Sequence, residues 1–309
     1  MIAFVFPGQG SQKVGMGRAL ADAYPEARAT FDEADAALPG LTKLIVEGPD
    51  ADLVLTQNAQ PAILTMSIAA QRVLAARGIA PSFVAGHSLG EYSANVAAGT
   101  MAFEDAVKIV RRRGQYMQEA VPVGAGSMAA ILGLDADTVV RACEDAAQGD
   151  VVSAANMNGA GQVVIAGATA AVQRAGERAK ALGAKRVIPL AVSAPFHCAL
   201  LKPAETRLEP ELRALNVQDP RVPVVANVDA EPKRTAAAAI DALVRQVSAP
   251  VRWEQVVQRL ASEGVTNYVE VGPGSVLSGL IKKIHKGAVV YNFADPADLE
   301  SVLHLREHV

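Results

Sequence analysis

Residues 83–99 read FVAGHSLGEYSANVAAG, and the order of residue types within them decides the fold. Phe83–Ala85 is a short apolar run of strand character. Gly86-His87-Ser88-Leu89-Gly90 follows as G-x-S-x-G, and Leu89–Ala98 is a helical pattern closed by Gly99. A strand, this pentapeptide and a helix in succession are the elements of a nucleophile elbow. The turn is so tight that the serine needs small neighbours, which Gly86 and Gly90 supply. The turn lifts the Ser88 hydroxyl clear of the backbone and sets it at a helix N-terminus. The first backbone N–H groups there lack intrahelical partners and can stabilise an oxyanion, and the N–H of Leu89 is the nearest donor. The competing reading is a glycine-rich turn in which Ser88 caps the helix and Glu91 completes a capping box.

Outward from this stretch, apolar runs alternate with helical patterns, the rhythm of an α/β protein. Ile2–Phe6 reads as a buried strand ended by Pro7-Gly8. Residues 61–77 read as a helix with Pro61 in its first turn and Gly78 at its stop. Residues 103–119 form a further helix with Glu104 and Asp105 where the dipole favours acids. Ser127–Leu132, Ala136–Ala147, Val151–Ala155, Gln162–Ala166, Ala170–Leu182 and Lys185–Leu190 give the order β-α-β-β-α-β, that of a ferredoxin-like module, with Asn158-Gly159 as its hairpin turn. Strand patterns resume at Val222–Ala226, Tyr268–Val271 and Val289–Phe293. The expected architecture is a larger domain built on a parallel sheet, residues 1–123 and 195–309, with a ferredoxin-like subdomain inserted at 124–194.

Composition narrows the function classes. With 309 residues, half of them hydrophobic, the chain can bury a sizeable core. A net charge of −3 gives no bulk reason to bind nucleic acid or an anionic membrane. Cys143 and Cys198 are far apart, and the five histidines show no metal-binding spacing, so no metal is expected. No signal-like start and no apolar run of spanning length is present, and a cytoplasmic protein is expected.

A serine hydroxyl needs a base to become a nucleophile. His87 lies beside Ser88 and should point away from it; His285, His304 and His308 lie in polar helical stretches and read as solvated. By elimination His197, in the loop Ser193-Ala194-Pro195-Phe196-His197, is the candidate base. Cys198 reads as a buried structural thiol. On the helical wheel of 103–119, Arg113 falls within the apolar stripe of Ala106, Ile109, Val110 and Met117; Arg112 lies at its edge and Arg111 points well away. A guanidinium facing the core needs an anion, either a protein carboxylate or a substrate's. Gly114 weakens this helix by about 1 kcal/mol relative to alanine, a sign of close packing or a bend. The Gly-rich start Pro7-Gly8-Gln9-Gly10-Ser11-Gln12 lacks the endings of nucleotide-binding loops, and reads as a simple turn or as a second oxyanion donor.

Taken together, FVFPGQGSQ, QPAILTMSIA, AGHSLGEYSA, RRRGQYMQEA, NMNGAGQVVIAG, SAPFHCALLKPA, RQVSAPVRW and VEVGPGSVLSGL resemble, in order and over nearly the whole chain, the malonyl-CoA:acyl-carrier-protein transacylases of bacterial fatty-acid synthesis. The resemblance implies an α/β-hydrolase-like larger domain, Ser88 as the acylated nucleophile, His197 as its base, and Arg113 as the partner of the malonyl carboxylate. It implies oxyanion-hole N–H groups from Gln9 and Leu89, and the backbone carbonyl of Gln246 orienting the histidine, its side-chain identity mattering little. Phe196 resembles the residue of malonyl-selecting members, a ring that would crowd an α-methyl group. Malonyl-CoA and a phosphopantetheinylated acyl carrier protein are the implied partners, with no cofactor and a monomeric chain. Lys185, Arg186, Lys202, Lys282 and Lys283 are candidate contacts for the acidic carrier. The rival readings are a serine thioesterase or esterase, an acyltransferase serving polyketide synthesis, and a non-catalytic carrier-binding module.

Overall fold

The computed structural model describes residues 1–192 and 194–308; Ser193 and the side chain of His308, both used in the sequence reading, lie outside the described residues. Two sheets organise the chain. The larger has six strands in the order β10-β9-β1-β2-β7-β8. These are β1 (Ile2–Phe6), β2 (Phe83–Gly86), β7 (Val224–Val225), β8 (Pro232–Lys233), β9 (Asn267–Val271) and β10 (Val289–Phe293). All neighbours run parallel except the short return β7–β8. The smaller sheet is antiparallel, in the order β4-β5-β3-β6, with β3 (Gly126–Leu132), β4 (Val152–Gly159), β5 (Gln162–Ala168) and β6 (Arg186–Pro189). Helices Ala136–Ala147 and Thr169–Ala181 complete the β-α-β-β-α-β order.

The apolar run of β1 is explained by burial on both faces. Ile2, Phe4 and Phe6 enter one core, with the helices Thr56–Ala75 and Phe103–Glu119, while Ala3 and Val5 enter a second around Trp253 and Tyr268. Each wholly buried phenylalanine contributes about 1.5–3 kcal/mol. The smaller sheet covers its two helices with Ile131, Ala154 and Ile165, and turns Met128, Ala130 and Val164 the other way, towards Cys198 and Phe196. The smaller sheet is tied to a segment outside either sheet: Val251 donates to the carbonyl of Ala155 and accepts from the N–H of Met157, both at 2.8 Å.

Four expectations differ from the structure. The helix expected at 61–77 spans Thr56–Ala75, so Pro61 lies inside it. Proline has no N–H for the Gln57 carbonyl, and that carbonyl instead accepts from Arg111 at 3.2 Å, which lets the helix begin a turn early. The tip of the β4–β5 hairpin is Ala160-Gly161, both at positive φ, and not Asn158-Gly159; Asn158 belongs to β4. The strand expected at Val222–Ala226 shrinks to Val224–Val225, because Ala226 already bonds back to Glu231 in the return to β8. Finally Arg111, expected to point away, is half-buried against Asn58, whereas Arg112 is exposed and pairs with Glu211 at 2.7 Å.

Candidate active site

Ser88 stands at the end of β2, between the two sheets, at φ 52°. A non-glycine residue in the left-handed region costs about 1–3 kcal/mol and persists only where its surroundings fix it. Here they do. A Cβ on Gly86 would lie 1.9 Å from the Gly90 carbonyl carbon, and one on Gly90 would lie 2.0 Å from the Phe6 oxygen. Glycine on both sides is therefore a steric requirement of packing the elbow against β1.

The capping-box reading of this turn is not what forms. Leu89, with Gly90–Ala97 after it, takes the N-cap position, and the Ser88 N–H donates to Asn227 Oδ1 at 2.7 Å. Asn227 returns its Nδ2 to the Gly86 carbonyl at 2.7 Å, clamping both ends of the turn. Glu91 reaches sideways instead, accepting from the Asn227 N–H at 2.9 Å and from Gln246 Nε2 at 2.8 Å. Burial pushes the Glu91 carboxyl up to about 7, against the pull of those two donors.

The loop after Leu190 carries His197 to Ser88 from 109 positions away, with Nε2 2.7 Å from the Ser88 Oγ. Its other ring nitrogen, Nδ1, sits 3.0 Å from the Gln246 carbonyl. A carbonyl only accepts, so Nδ1 carries the proton and Nε2 presents its lone pair to the serine. His197 is buried and also at positive φ, 60°. Burial first, then the Arg113 charge, lower its pKa to about 3, so the imidazole is neutral across the physiological range, the form that can accept a proton. The other histidines are engaged elsewhere. His87 points away to Asn158 Oδ1 at 2.9 Å and packs against Trp253. His285 is half-buried on the Tyr268 hydroxyl rather than simply solvated, and exposed His304 meets the Tyr291 hydroxyl. Cys198 is buried, with its thiol on the Pro195 carbonyl and its pKa pushed up to about 11, far from thiolate character.

The depressed His197 pKa has a measurable consequence for stability. Below pH 6.5 the unfolded chain takes up a proton that the folded one refuses until about pH 3. The stabilisation is therefore full above 6.5 and lost as pH falls, by up to about 1.4 kcal/mol per pH unit from this one group. In urea denaturation at pH 6.5 and 5.0, wild type is expected to lose more stability than His197→Ala over that interval. Parallel losses would show that the ring protonates freely when folded.

Arg113 lies in the same cavity, its Cζ 5.3 Å from the centre of the Tyr92 ring. One amino nitrogen donates to Gln60 Oε1 at 2.7 Å; the other donates to Gln246 Oε1 at 2.9 Å and to the Ser88 Oγ at 3.1 Å. Its Nε–H is buried without a partner, and among the described residues no carboxylate forms an ion pair with it. The protein-carboxylate alternative for this arginine thus fails. Its helix lies close enough to helix Thr56–Ala75 that a Cβ on Gly114 would come within 2.6 Å of the Gln57 Cα. Close packing is therefore the use of that glycine.

Ser88, His197, Arg113, Gln9, Leu89 and Phe196 all line one cavity of about 450 Å³, with Met128, Val164 and Asn156 of the smaller sheet opposite. The backbone N–H groups of Gln9 and Leu89 meet no acceptor among the described residues, and the Gln9 side chain is tied to Thr56 Oγ1 at 3.2 Å. Phe196 is half-buried between the cores of the two sheets. Gln246 lies wholly buried behind the cavity, and its side chain, expected to matter little, makes four further hydrogen bonds, to Ser88, Glu91, Asn227 and Arg113. Glu91, Asn227 and Gln60 were not among the sequence candidates. Each acts through a partner more than 50 positions away, for which no local spacing exists. Of the basic candidates, Lys202 is already paired with Glu205. Among the described residues no cluster of three or more His, Cys, Asp or Glu could hold a metal ion, and no helix is long and apolar enough to cross a membrane.

Residues 3–297 match the family described as "Acyl transferase domain". The chain is 49% identical over 301 residues to the "Malonyl CoA-acyl carrier protein transacylase" of Bacillus subtilis (strain 168), covering 97% of this chain and 95% of that protein. It is 51% identical over 305 residues to the protein of the same name from Escherichia coli (strain K12), covering 98% and 99%. Among solved structures, an acyl carrier protein S-malonyltransferase from Vibrio cholerae superposes with a TM-score of 0.96 at 48% identity, covering 97% of this chain and 99% of that one. A malonyl-transacylase in complex with a type II PKS acyl-carrier protein superposes with a TM-score of 0.95 at 48% identity, covering 98% and 99%.

Proposed function

The chain belongs to the acyl transferase domain family, among the malonyl CoA-acyl carrier protein transacylases, and from this premise we infer how its cavity works. The protein moves a malonyl group from malonyl-CoA to the thiol of acyl carrier protein, supplying fatty-acid elongation. In the first half-reaction Ser88 Oγ attacks the thioester carbonyl while His197 Nε2 takes its proton. The tetrahedral oxyanion lies against the N–H groups of Gln9 and Leu89, which meet no acceptor among the described residues. His197 then returns the proton to the departing CoA thiolate, leaving a malonyl-serine ester. In the second half-reaction His197 takes the proton of the carrier's phosphopantetheine thiol as its sulfur attacks that ester; the Ser88 Oγ–acyl bond breaks and His197 returns the proton to Ser88 Oγ, leaving malonyl-carrier and free enzyme. The Gln246 carbonyl replaces the acid of a conventional triad: it fixes the tautomer without adding a negative charge beside the imidazole. Every step uses side-chain and backbone groups, so this reading calls for no cofactor. Phe196 narrows the acyl pocket near the base. The natural extension is a monomer working in the cytoplasm.

The observation that carries the substrate choice is Arg113, a buried cation held only by neutral oxygens beside the nucleophile. A malonyl carboxylate is the anion it lacks. The hydrolase reading has no such support, and a water-based mechanism makes a different forecast. Given malonyl-CoA, the protein is expected to release CoA steadily only when carrier protein is present, and malonyl-carrier should accumulate. CoA release unaffected by the carrier, with free malonate as product, would overturn transfer in favour of hydrolysis.

A further inference from the structure

Gln246 serves the site from both ends. Its carbonyl holds His197, and its amide oxygen holds Arg113 at 2.9 Å. The amide nitrogen faces three acceptors: the Ser88 carbonyl at 2.9 Å, Glu91 Oε2 at 2.8 Å and Asn227 Oδ1 at 3.3 Å. Only one orientation of the amide satisfies this set, because a guanidinium only donates and an ionised carboxylate only accepts. Glu91 is 1% exposed and sits one side chain beyond the arginine, without touching it. A carboxylate bonded directly to Arg113 would neutralise it and occupy the place of a substrate anion. At one remove, it can orient the arginine's holder and leave the guanidinium free to pair with a ligand.

We propose that Glu91 is a positioning residue for acyl selection: by accepting from the Gln246 amide nitrogen it fixes which end of that amide faces Arg113, and so sets the guanidinium for a malonyl carboxylate. The proposal rests on the reading of Arg113 as that carboxylate's partner. Glu91→Gln keeps the volume and an acceptor for the Asn227 N–H. However, its new amide can donate to Gln246 as well as accept from it. Gln246 then loses the one ionic acceptor of its NH₂ and is held by the neutral Ser88 and Asn227 oxygens, so its amide oxygen is set less firmly on the guanidinium.

The test measures kcat/KM for acylation by malonyl-CoA and by acetyl-CoA at pH 8 in the full-length protein. Glu91→Gln is expected to lower the malonyl:acetyl ratio about tenfold, as the loss of one charge-assisted hydrogen bond would, and to lower acetyl loading far less than malonyl loading. In an Arg113→Ala background the same substitution should not move the ratio further, since the group it positions is gone. Gln246→Met, which removes the amide altogether, should lower the ratio likewise and carries the test if Glu91→Gln does not fold. Equal losses for both acyl groups, an undiminished effect of Glu91→Gln without Arg113, or a preserved ratio in Gln246→Met would each overturn the role of Glu91. A wild type with no preference for malonyl would instead overturn the reading of Arg113 itself, and this proposal with it.

Discussion

Replacing Ser88 by alanine is expected to reduce malonyl transfer by about 10³-fold or more, and to abolish the protein-bound ester formed with radiolabelled malonyl-CoA. The magnitude follows from what the hydroxyl does. The other hydroxyl of the cavity lining, Ser11, donates to the Gly8 carbonyl at 2.8 Å rather than to a base, and removal of the nucleophile leaves only the residual catalysis of binding and oxyanion stabilisation. His197 cannot substitute, because its Nε2 is aimed at the missing oxygen, and the Cys198 thiol is protonated and buried. The fold should survive: the turn is clamped by the Ser88 N–H and the Gly86 carbonyl rather than by the hydroxyl. Peptide mapping of the wild-type ester should place the label within residues 83–99. A label that persists in Ser88→Ala would mean that another residue is acylated. No labelling of the wild type would leave only a module that binds the carrier without reacting.

The second large effect is a change of substrate. Arg113→Ala is expected to lower kcat/KM for malonyl-CoA by about 100-fold, the equivalent of two charge-assisted hydrogen bonds, while acetyl or longer acyl groups load more easily. The asymmetry has a physical origin. In the wild type a neutral acyl group enters beside a buried guanidinium and leaves it without an anion, which a site built around a polar contact penalises strongly. Alanine removes both the attraction for malonyl and the penalty against acetyl. Arg113 also donates to the Ser88 Oγ at 3.1 Å, so a modest loss common to all acyl groups is expected on top. A loss of the same size for malonyl and acetyl would mean that Arg113 serves the nucleophile alone and has no part in reading the carboxylate.

How much of this was legible in the sequence depended on the range of the interactions. The elbow was legible because strand, glycines, serine and helix are neighbours in the chain. The ferredoxin-like order and the inward face of Arg113 followed from periodicities of two and 3.6 residues, which are also local. Pro61 and Asn158-Gly159 misled for an instructive reason. Both have strong local preferences, and each was overridden by a distant partner: Arg111 at the Gln57 carbonyl, and His87 at Asn158, with the turn passing to Ala160-Gly161. The pairing of Ser88 with His197 could be reached only by elimination among five histidines, and the places of Gln9 and Gln246 only by resemblance. Glu91 was visible only through the competing capping-box reading, since a glutamate three residues after a serine at a helix start fits that pattern. Asn227 carried no signal at all, and Gln60 appeared only as the first residue of a family-like segment, with no role attached. Their work is to satisfy groups on other elements, and nothing in the composition of ANVDA or TQNAQ marks it.

The strand pairing between Val251 and residues 155–157 gives the cleft a mechanical property. Val251 lies only five positions after the carbonyl that meets the imidazole, and the same segment is stitched into the edge of the opposite lobe. One continuous piece of backbone, residues 246–251, thus runs behind the groove from the carbonyl on the imidazole to the smaller sheet, and the lobes cannot swing apart there without tugging on that carbonyl. Widening the groove for a bulky acyl chain must come from its walls, from side chains such as Met128 and Phe196, while the hinge line stays fixed and the base keeps its aim.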